Sequence, residues 1–463
     1  MPVGDQEPDV RAPRRFRRPW LRSGRPVPRR VARPLEQFLS QEAGSASLLM
    51  AAAVAALVWS NAATDSYNEF WSTAVTVELG SLRLEEDLRH VVNDLLMALF
   101  FYIVALEVKR EVMFGSLRER ASAAVPVAAA VGTMLGAAVV YLAVNLDGGE
   151  PRGWAIPIAT DIAFALGALG LLGRRAPPEL RAFLLTLAVV DDLGTIVVIA
   201  VFYSGGISLA WLAAAVALAV SIVALRRLHV RLLVPYVVIA GLLWLAVFES
   251  GVHATIAGVV LGFLTPAVAF HPRQEAGKAI GGQLEEIARD PDTELSESAI
   301  WEASRLAREA VSPLARMEEQ LHPWSAYVVL PLFALANAGV AISIAEIGDA
   351  FTGQVGLGIM LGLVIGAPLG GIALAWGVVR TGRARLADGL DWSAIASVAP
   401  LKGIGFTVAI FISVLAFEDE ALQEEAKLAI LIASALAGTI GVCALWIRGR
   451  VGRGRDRPAD DPV

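Results

Sequence analysis

The sequence predicts an all-α polytopic membrane protein of about twelve transmembrane helices, built as inverted three-helix repeats with two broken helices crossing at the midplane. Three observations predict it. Of 463 residues, 56% are hydrophobic and only 18% charged, with a positive mean hydropathy of +0.59, a balance that a soluble charged surface does not have. Apolar runs of about 20 residues, the length that spans ~30 Å of hydrocarbon, recur along the chain. One of them, LAVVDDLGTIVVIAVF at residues 187–202, carries two adjacent carboxylates, Asp191 and Asp192. A charge near the bilayer centre costs at least ~2.5 kcal/mol, so the pair implies a wet, functional cavity.

Residues 1–40 are read as a disordered, Arg-rich cytoplasmic tail. The first 34 residues hold ten Arg and no sustained apolar segment, so they form neither a cleavable signal nor a packed domain. The tail either sets topology by its charge or touches anionic lipid. Residues 41–270 hold the first eight spans, centred near Val54, Phe101, Gly132, Phe164, Asp191, Ala215, Ala240 and Val259. Residues 271–320 are a cytoplasmic linker whose ESAIWEASRLAREAV has helical spacing; it is a solvated connection or a surface-lying helix. Residues 321–447 hold the last four spans, near Leu332, Leu363, Phe406 and Gly438, and 448–463 form a second cytoplasmic tail. Loop charge supports this order. Lys109, Arg110, Arg118 and Arg120, then Arg174, Arg175 and Arg181, then Arg226, Arg227 and Arg231, then Arg380, Arg383 and Arg385 fall on one side, together with both termini. Asp65, Glu78, Glu85, Glu86 and Asp87, then Asp147 and Glu150, then Glu418, Asp419, Glu420, Glu424 and Glu425 fall on the other. Positive loops stay inside, which places both termini in the cytoplasm and the chain in the plasma membrane.

Two spans are interrupted. GWAIPIATDIAFALG has Pro157 ahead of Thr160 and Asp161, and SVAPLKGIGFTVAIF has Pro400, Gly403 and Gly405 around Lys402. Freed backbone groups survive at membrane depth only when buried in protein or lining water, so both breaks point to one cavity. Spans three to five enter from the inside and ten to twelve from the outside, and the broken member is the middle one of each triplet. That is the plan of a secondary transporter whose site lies between inverted repeats. Asp191 lies ten residues past Arg181 and Lys402 ten past Trp392, each ~15 Å along a helix, while Asp161 follows Trp154 by seven from the opposite face, so all three converge near the midplane.

Carboxylates and hydroxyls are hard oxygen ligands suited to alkali or alkaline-earth cations rather than to soft metals. Asp191, Asp192, Thr160 and Asp161 therefore make a candidate ion and proton site for a small cation. Neighbours on a helix point ~100° apart, so one of the pair takes a partner while the other faces the ion. A group able to hold a proton or a cation, but not both, supports exchange by competition. Asp161 either ligates or caps the positive half-helix N-termini. Lys402 is a charge partner for Asp191, a compensator for half-helix C-termini, or a lysine snorkelling along a wet wall. A second cluster lies at the cytoplasmic face, where LEVKRE sets Glu107, Arg110 and Glu111 within a turn and EEQLHPW sets Glu318 and His322. It is a pH-response region with His322 as titrator, or an end-of-helix salt-bridge patch. His253 begins the eighth span, in a capping or packing role.

Read together, ALEVKRE, GWAIPIATDIAFALG, LAVVDDLGTI, SGVHATIAGV, LHPWSAYVVLPLFALANAGV and GIGFTVAIFIS resemble the bacterial NhaA-type sodium/proton antiporters over roughly residues 40–447. The resemblance implies pH-regulated, electrogenic export of sodium or lithium against a larger number of protons by alternating access. It implies a cation and proton site at Asp191 and Asp192, with Thr160 and Asp161 beside it, and a pH-response region at Glu107, Arg110, Glu111, Glu318 and His322. One departure stands out. Where the family has a lysine in GKPLG, this chain reads VIGAPLGG with Ala367, and Lys402 stands before GIGFT where the family has none. Either Lys402 supplies the missing amine from the eleventh span, or the amine is lost and the exchange is an electroneutral variant. A cation channel is a remote alternative, because broken helices beside protonatable carboxylates favour alternating access. An intramembrane aspartyl protease is another, lacking a GxGD motif. The single Cys443 excludes an intrachain disulfide and a Cys-based metal site. No cofactor and no nucleic acid are expected. The expected partners are sodium or lithium, protons and membrane lipid, with a homodimer left open.

Overall fold

The computed structural model describes residues 42–79, 82–171, 178–230, 232–289, 294–382, 384–387 and 389–455. The N-terminal tail and the last eight residues lie outside them, as do Arg174, Arg175, Arg231 and Arg383. The chain is helical nearly throughout. Helices α1 (Glu42–Ala62) and α2 (Thr64–Trp71) lead into a two-stranded antiparallel hairpin, β1 (Ala74–Leu79) and β2 (Leu82–Asp87), in which Val75 pairs with Glu86 and Val77 with Leu84. The hairpin corrects the expectation of a plain acidic loop: AVTVEL alternates apolar and polar residues with period two, a strand signal that the surrounding apolar runs mask. Helix α3 (Leu88–Phe114) carries Glu107, Arg110 and Glu111 at its far end, and α4 (Arg120–Asn145) follows.

The fourth span is broken as expected. A 3-10 stretch, Pro151–Ile158, stops before Thr160 and Asp161, and α5 (Ile162–Leu171) resumes beyond them. Pro157 lacks an amide hydrogen and cannot continue an α-helical ladder. The next helix, α6 (Pro178–Phe202), is unbroken and bears Asp191 and Asp192; its far end is tied to the 3-10 stretch by Tyr203 Oη donating to Arg152 O at 2.7 Å and by the edge contact of Trp154 with Phe202. Helices α7 (Leu209–Arg227), α8 (Leu233–Glu249) and α9 (Thr255–Leu264) pack as a layer beside α3.

The polar insert folds as two helices, α10 (Arg273–Arg289) and α11 (Glu294–Glu309), joined to the rest by a His271–Glu309 contact of 2.9 Å. Beyond it come α12 (Pro313–Trp324), whose N-cap Ser312 accepts from Ala315 N, and α13 (Leu330–Asn337), joined by a π turn at Ser325–Val329. A short α14 (Ile344–Thr352) precedes α15 (Gln354–Arg380). The eleventh span is broken into α16 (Trp392–Val398), a 3-10 stretch Ala399–Gly403, and α17 (Phe406–Ala416), with a 45° bend, and α18 (Glu420–Arg455) closes the chain.

Among the described residues eight helices are long and apolar enough to cross a membrane, the bent pair makes a ninth, and α8 and α9 are shorter apolar helices. All twelve expected span centres fall on helical residues. The first members of the two triplets, α4 and α15, are packed backbone to backbone. A Cβ on Gly132 would overlap the carbonyl of Gly370, and one on Gly136 that of Gly366. Two small-xxx-small pairs thus interlock, which is how helices approach closely where no hydrophobic effect drives them together. This contact holds the two broken helices against each other.

Candidate functional site

The two breaks meet. Asp161 N donates to Ile404 O at 2.6 Å, joining the interruption of the fourth span directly to that of the eleventh. Gly405 sits close against the fourth-span break, a Cβ there falling 3.2 Å from the carbonyl of Ala159, and Gly403 lets the same stretch pack on α15, where a Cβ would strike the carbonyl of Leu363. Two half-helices, α5 and α17, therefore begin side by side, each pointing an N-terminus with free amides and positive dipole at the crossing. Asp161 satisfies both. Its Oδ1 accepts from Ala163 N at 3.1 Å, and its Oδ2 from Thr407 Oγ1 at 2.5 Å and Thr407 N at 3.4 Å. Both oxygens are spent on caps, so the geometry places Asp161 as the charge that binds the broken helices together. Thr407 was not singled out in the sequence, although a threonine two residues past the Gly405 break is well placed to serve a helix N-terminus.

Asp191 and Asp192 diverge, as adjacent helical residues must. Asp191, 1% exposed, forms an ion pair with Lys402, 5% exposed. Lys402 Nζ also donates to Thr160 Oγ1 at 2.7 Å, and Thr160 Oγ1 donates to Asp191 Oδ2 at 3.2 Å. The lysine sits on the 3-10 stretch before the break, where the departure from i→i+4 bonding turns its side chain toward α6. Three carboxylate oxygens stay free at this point. Asp191 Oδ1 is buried without a hydrogen-bond partner, and Asp192 is half-buried with no hydrogen bond or ion pair among the described residues. Asp192 lies within electrostatic range of Glu107, Asp191, Lys402 and Asp161, so negative charge dominates around it. An unpartnered buried carboxylate oxygen costs free energy unless something positive visits it.

Ala367 is fully buried beside this pair. A cavity of ≈ 20 Å³, large enough for one water, is lined by Ala367, Pro368, Thr133, Leu187, Val398 and Lys402. The space that a lysine at 367 would enter and the lysine that is present thus share one wall. No group of three or more His, Cys, Asp or Glu able to hold a metal occurs among the described residues.

On the face bearing the basic loops, four of the five expected cluster residues come together. Arg110 Nη1 is 2.5 Å from Glu318 Oε1, and His322 Nδ1 is 3.3 Å from Glu107 Oε1. Both bridges join the end of α3 to α12. The hydrogen bond to Glu107 holds the His322 imidazole above its usual 6.5, against partial burial. Burial pushes the Glu318 carboxyl up, with Arg110 pulling it back. Glu111 is separate: its Oε1 accepts from Ser116 N at 2.7 Å and from the Ser116 hydroxyl. His253 stands between α8 and α9, where burial lowers its affinity for a proton, as suits a packing role.

The sequence profile of the Na+/H+ antiporter 1 family matches residues 36–445. A protein named Na(+)/H(+) antiporter NhaA from Oleidesulfovibrio alaskensis is 45% identical over 428 residues, covering 90% of this chain and 95% of its own. Its namesake from Rhodopirellula baltica is 42% identical over 421 residues, covering 90% and 94%, and that from Janthinobacterium sp. is 41% identical over 414 residues, covering 88% and 91%. With crossed half-helices, a carboxylate pair on an unbroken neighbour and likeness along nearly its whole length, this chain is a multi-pass membrane transporter, not an enzyme, and belongs to the Na+/H+ antiporter 1 family.

Proposed function

We propose that this protein exports sodium or lithium from the cytoplasm in exchange for external protons, with both termini inside the cell and twelve crossings of the plasma membrane. The carrying observation is the unequal state of the carboxylate pair: Asp191 is engaged by Lys402, while Asp191 Oδ1 and the whole of Asp192 are unengaged. A desolvated alkali cation entering here meets Asp192, Asp191 Oδ1 and Thr160 Oγ1, all hard oxygens. Its charge competes with protons for the carboxylates and with Lys402 for Asp191. Proton release lets the cation in, and protonation from the other face drives it out, so each occupancy excludes the other. Asp161 takes no part in ligation; it holds α5 and α17 together while the site changes its accessible side.

In this reading Lys402 does from the eleventh span what a lysine at position 367 does in the resembled family, and the exchange is electrogenic. The Lys402–Asp191 pair supports that over the electroneutral variant, which requires the amine to be absent. The Glu107–His322 and Arg110–Glu318 bridges form the pH-response region: raising the pH through the His322 titration loosens the α3–α12 junction. Melting of the purified protein tests the site. Sodium should raise the melting temperature at alkaline pH, lose the effect at acid pH where protons occupy the carboxylates, and lose it at every pH in Asp192→Asn. Sodium without effect at any pH overturns the reading.

A further inference from the structure

Glu111 is not part of the bridge cluster, yet it is in contact with the helix that carries the carboxylate pair. The connection runs through two hydroxyls. Ser116, in the short helical turn after α3, donates its amide and its hydroxyl to Glu111 Oε1. Ser116 Oγ lies 2.5 Å from Thr186 Oγ1 on α6, and Thr186 Oγ1 lies 3.0 Å from the carbonyl of Ala182. Thr186 is 3% exposed and precedes Asp191 by five residues, ~7.5 Å along the same helix. Gly115 makes the first link, because a Cβ there would collide with the Glu111 carboxylate.

Each hydroxyl carries one proton, so the two hydroxyls can make only two of the three links when Glu111 is ionised and all three when its Oε1 carries a proton. With Glu111 ionised, Ser116 donates to Oε1, and the 2.5 Å contact between the two hydroxyl oxygens then draws the Thr186 proton to Ser116 and away from the Ala182 carbonyl, which keeps its helical amide. With Oε1 protonated, Glu111 donates to Ser116, Ser116 to Thr186, and Thr186 back to Ala182. No proton travels; each hydroxyl rotates. The two orders differ in a threonine hydrogen bond to the carbonyl four residues before it, a contact that bends helices.

We propose that Ser116 and Thr186 are positioning residues that transmit the charge of Glu111 to α6, setting the curvature of the helix one and a half turns before Asp191 and Asp192. The inference rests on the exchange reading above and deepens its pH response. The charged groups on the elements around Glu111 are Arg118 on its own turn, Glu179 and Arg181 in the first turns of α6, and Glu318 and His322 on α12, the last two already paired with Arg110 and Glu107. The described contacts to the Glu111 carboxylate come from Ser116.

The test uses the full chain in proteoliposomes, following sodium-dependent proton movement from acid to alkaline pH. Ser116→Ala and Thr186→Val should move the pH of half-maximal rate upward by roughly half to one unit, the loss expected when a carboxylate gives up one hydroxyl donor or that donor its support. Ser116→Thr, which keeps the hydroxyl, should retain the wild-type profile. Two variants guard against a folding defect, and melting temperatures are read in parallel. A lowered melting temperature with an unmoved profile in both variants reduces the chain to a structural cap and overturns the proposal. Wild type that moves no protons with sodium overturns the exchange reading, and this inference falls with it; wild-type exchange with unmoved variants overturns the inference alone.

Discussion

The ion pair at the crossing and those on the basic face behave differently because their surroundings do. At the crossing of the broken helices, Lys402 and Asp191 are 5% and 1% exposed. On the basic face, the side chains of Arg110 and His322 are 49% and 64% exposed. Both regions use the same kinds of group at similar contact distances. In the first, each charge has given up its hydration, so removing one partner strands the other in a low-dielectric interior. In the second, water reaches Arg110 and His322 and takes over much of what a lost partner leaves, although Glu318 is itself 7% exposed. Proximity of opposite charges is common to both; burial decides which pair is indispensable to the fold and which is free to respond to pH.

The sharpest way to break this contrast is Lys402→Ala. It should destabilise the protein by about 3–5 kcal/mol, read by thermal or denaturant unfolding in detergent, because Asp191 is left charged and unpaired. Lys402→Ala with Asp191→Asn should recover much of that loss, and Ala367→Lys with Lys402→Leu should recover stability and exchange together if the cavity beside Ala367 accepts the amine. Melting unchanged by Lys402→Ala would put the pair on the same footing as the surface bridges. Next in size is the glycine contact: Gly136→Leu pushes α15 off α4 and should cost several kcal/mol, or prevent insertion of a folded protein, measured as monodisperse yield and melting temperature. Smaller is Asp161→Asn, which keeps the shape of the cap but removes its charge. It should lower stability by about 1–2 kcal/mol, while removal of the Thr407 hydroxyl costs about 1 kcal/mol, both read by unfolding.

The smallest effects belong to the basic face. Arg110→Ala should cost about 1 kcal/mol, at the upper end for a surface pair because the Glu318 carboxylate it leaves is 7% exposed. His322 gives the sign of the pH dependence. Its affinity for a proton is higher in the folded protein than the ordinary 6.5, so the Glu107–His322 pair stabilises fully below that value and the contribution is lost as pH rises through the raised one. Melting temperature followed upward through neutral pH should fall across that window in wild type and not in His322→Gln; a fall of equal size in both would remove His322 from the pH response.

The sequence displayed the chemistry of the site better than its geometry. Two carboxylates inside an apolar run, a proline before Asp161 and glycines around Lys402 are local facts, visible without a partner. That Lys402 reaches Asp191, that Asp161 caps two helices at once, and that Thr407 serves it are facts about a crossing between residues more than 200 positions apart, which periodicity does not encode. The α4–α15 contact was half visible, since Gly132 and Gly136, and Gly366 and Gly370, each stand four apart on a helix face. Their partnership was not, because the same spacing fits any close helix neighbour. The β-hairpin was missed for a different reason: six-residue strands between long apolar helices leave a weak trace against a strong one.

The most direct test of the account is pH-gradient dequenching in everted vesicles or proteoliposomes, with sodium, lithium and potassium added in turn to wild type and to Asp192→Asn. The account predicts that sodium or lithium collapses the proton gradient, that potassium does so far less, that the response grows as the pH rises, and that Asp192→Asn abolishes it while the protein remains folded. No cation-dependent proton movement at any pH, or full activity in Asp192→Asn, would contradict it.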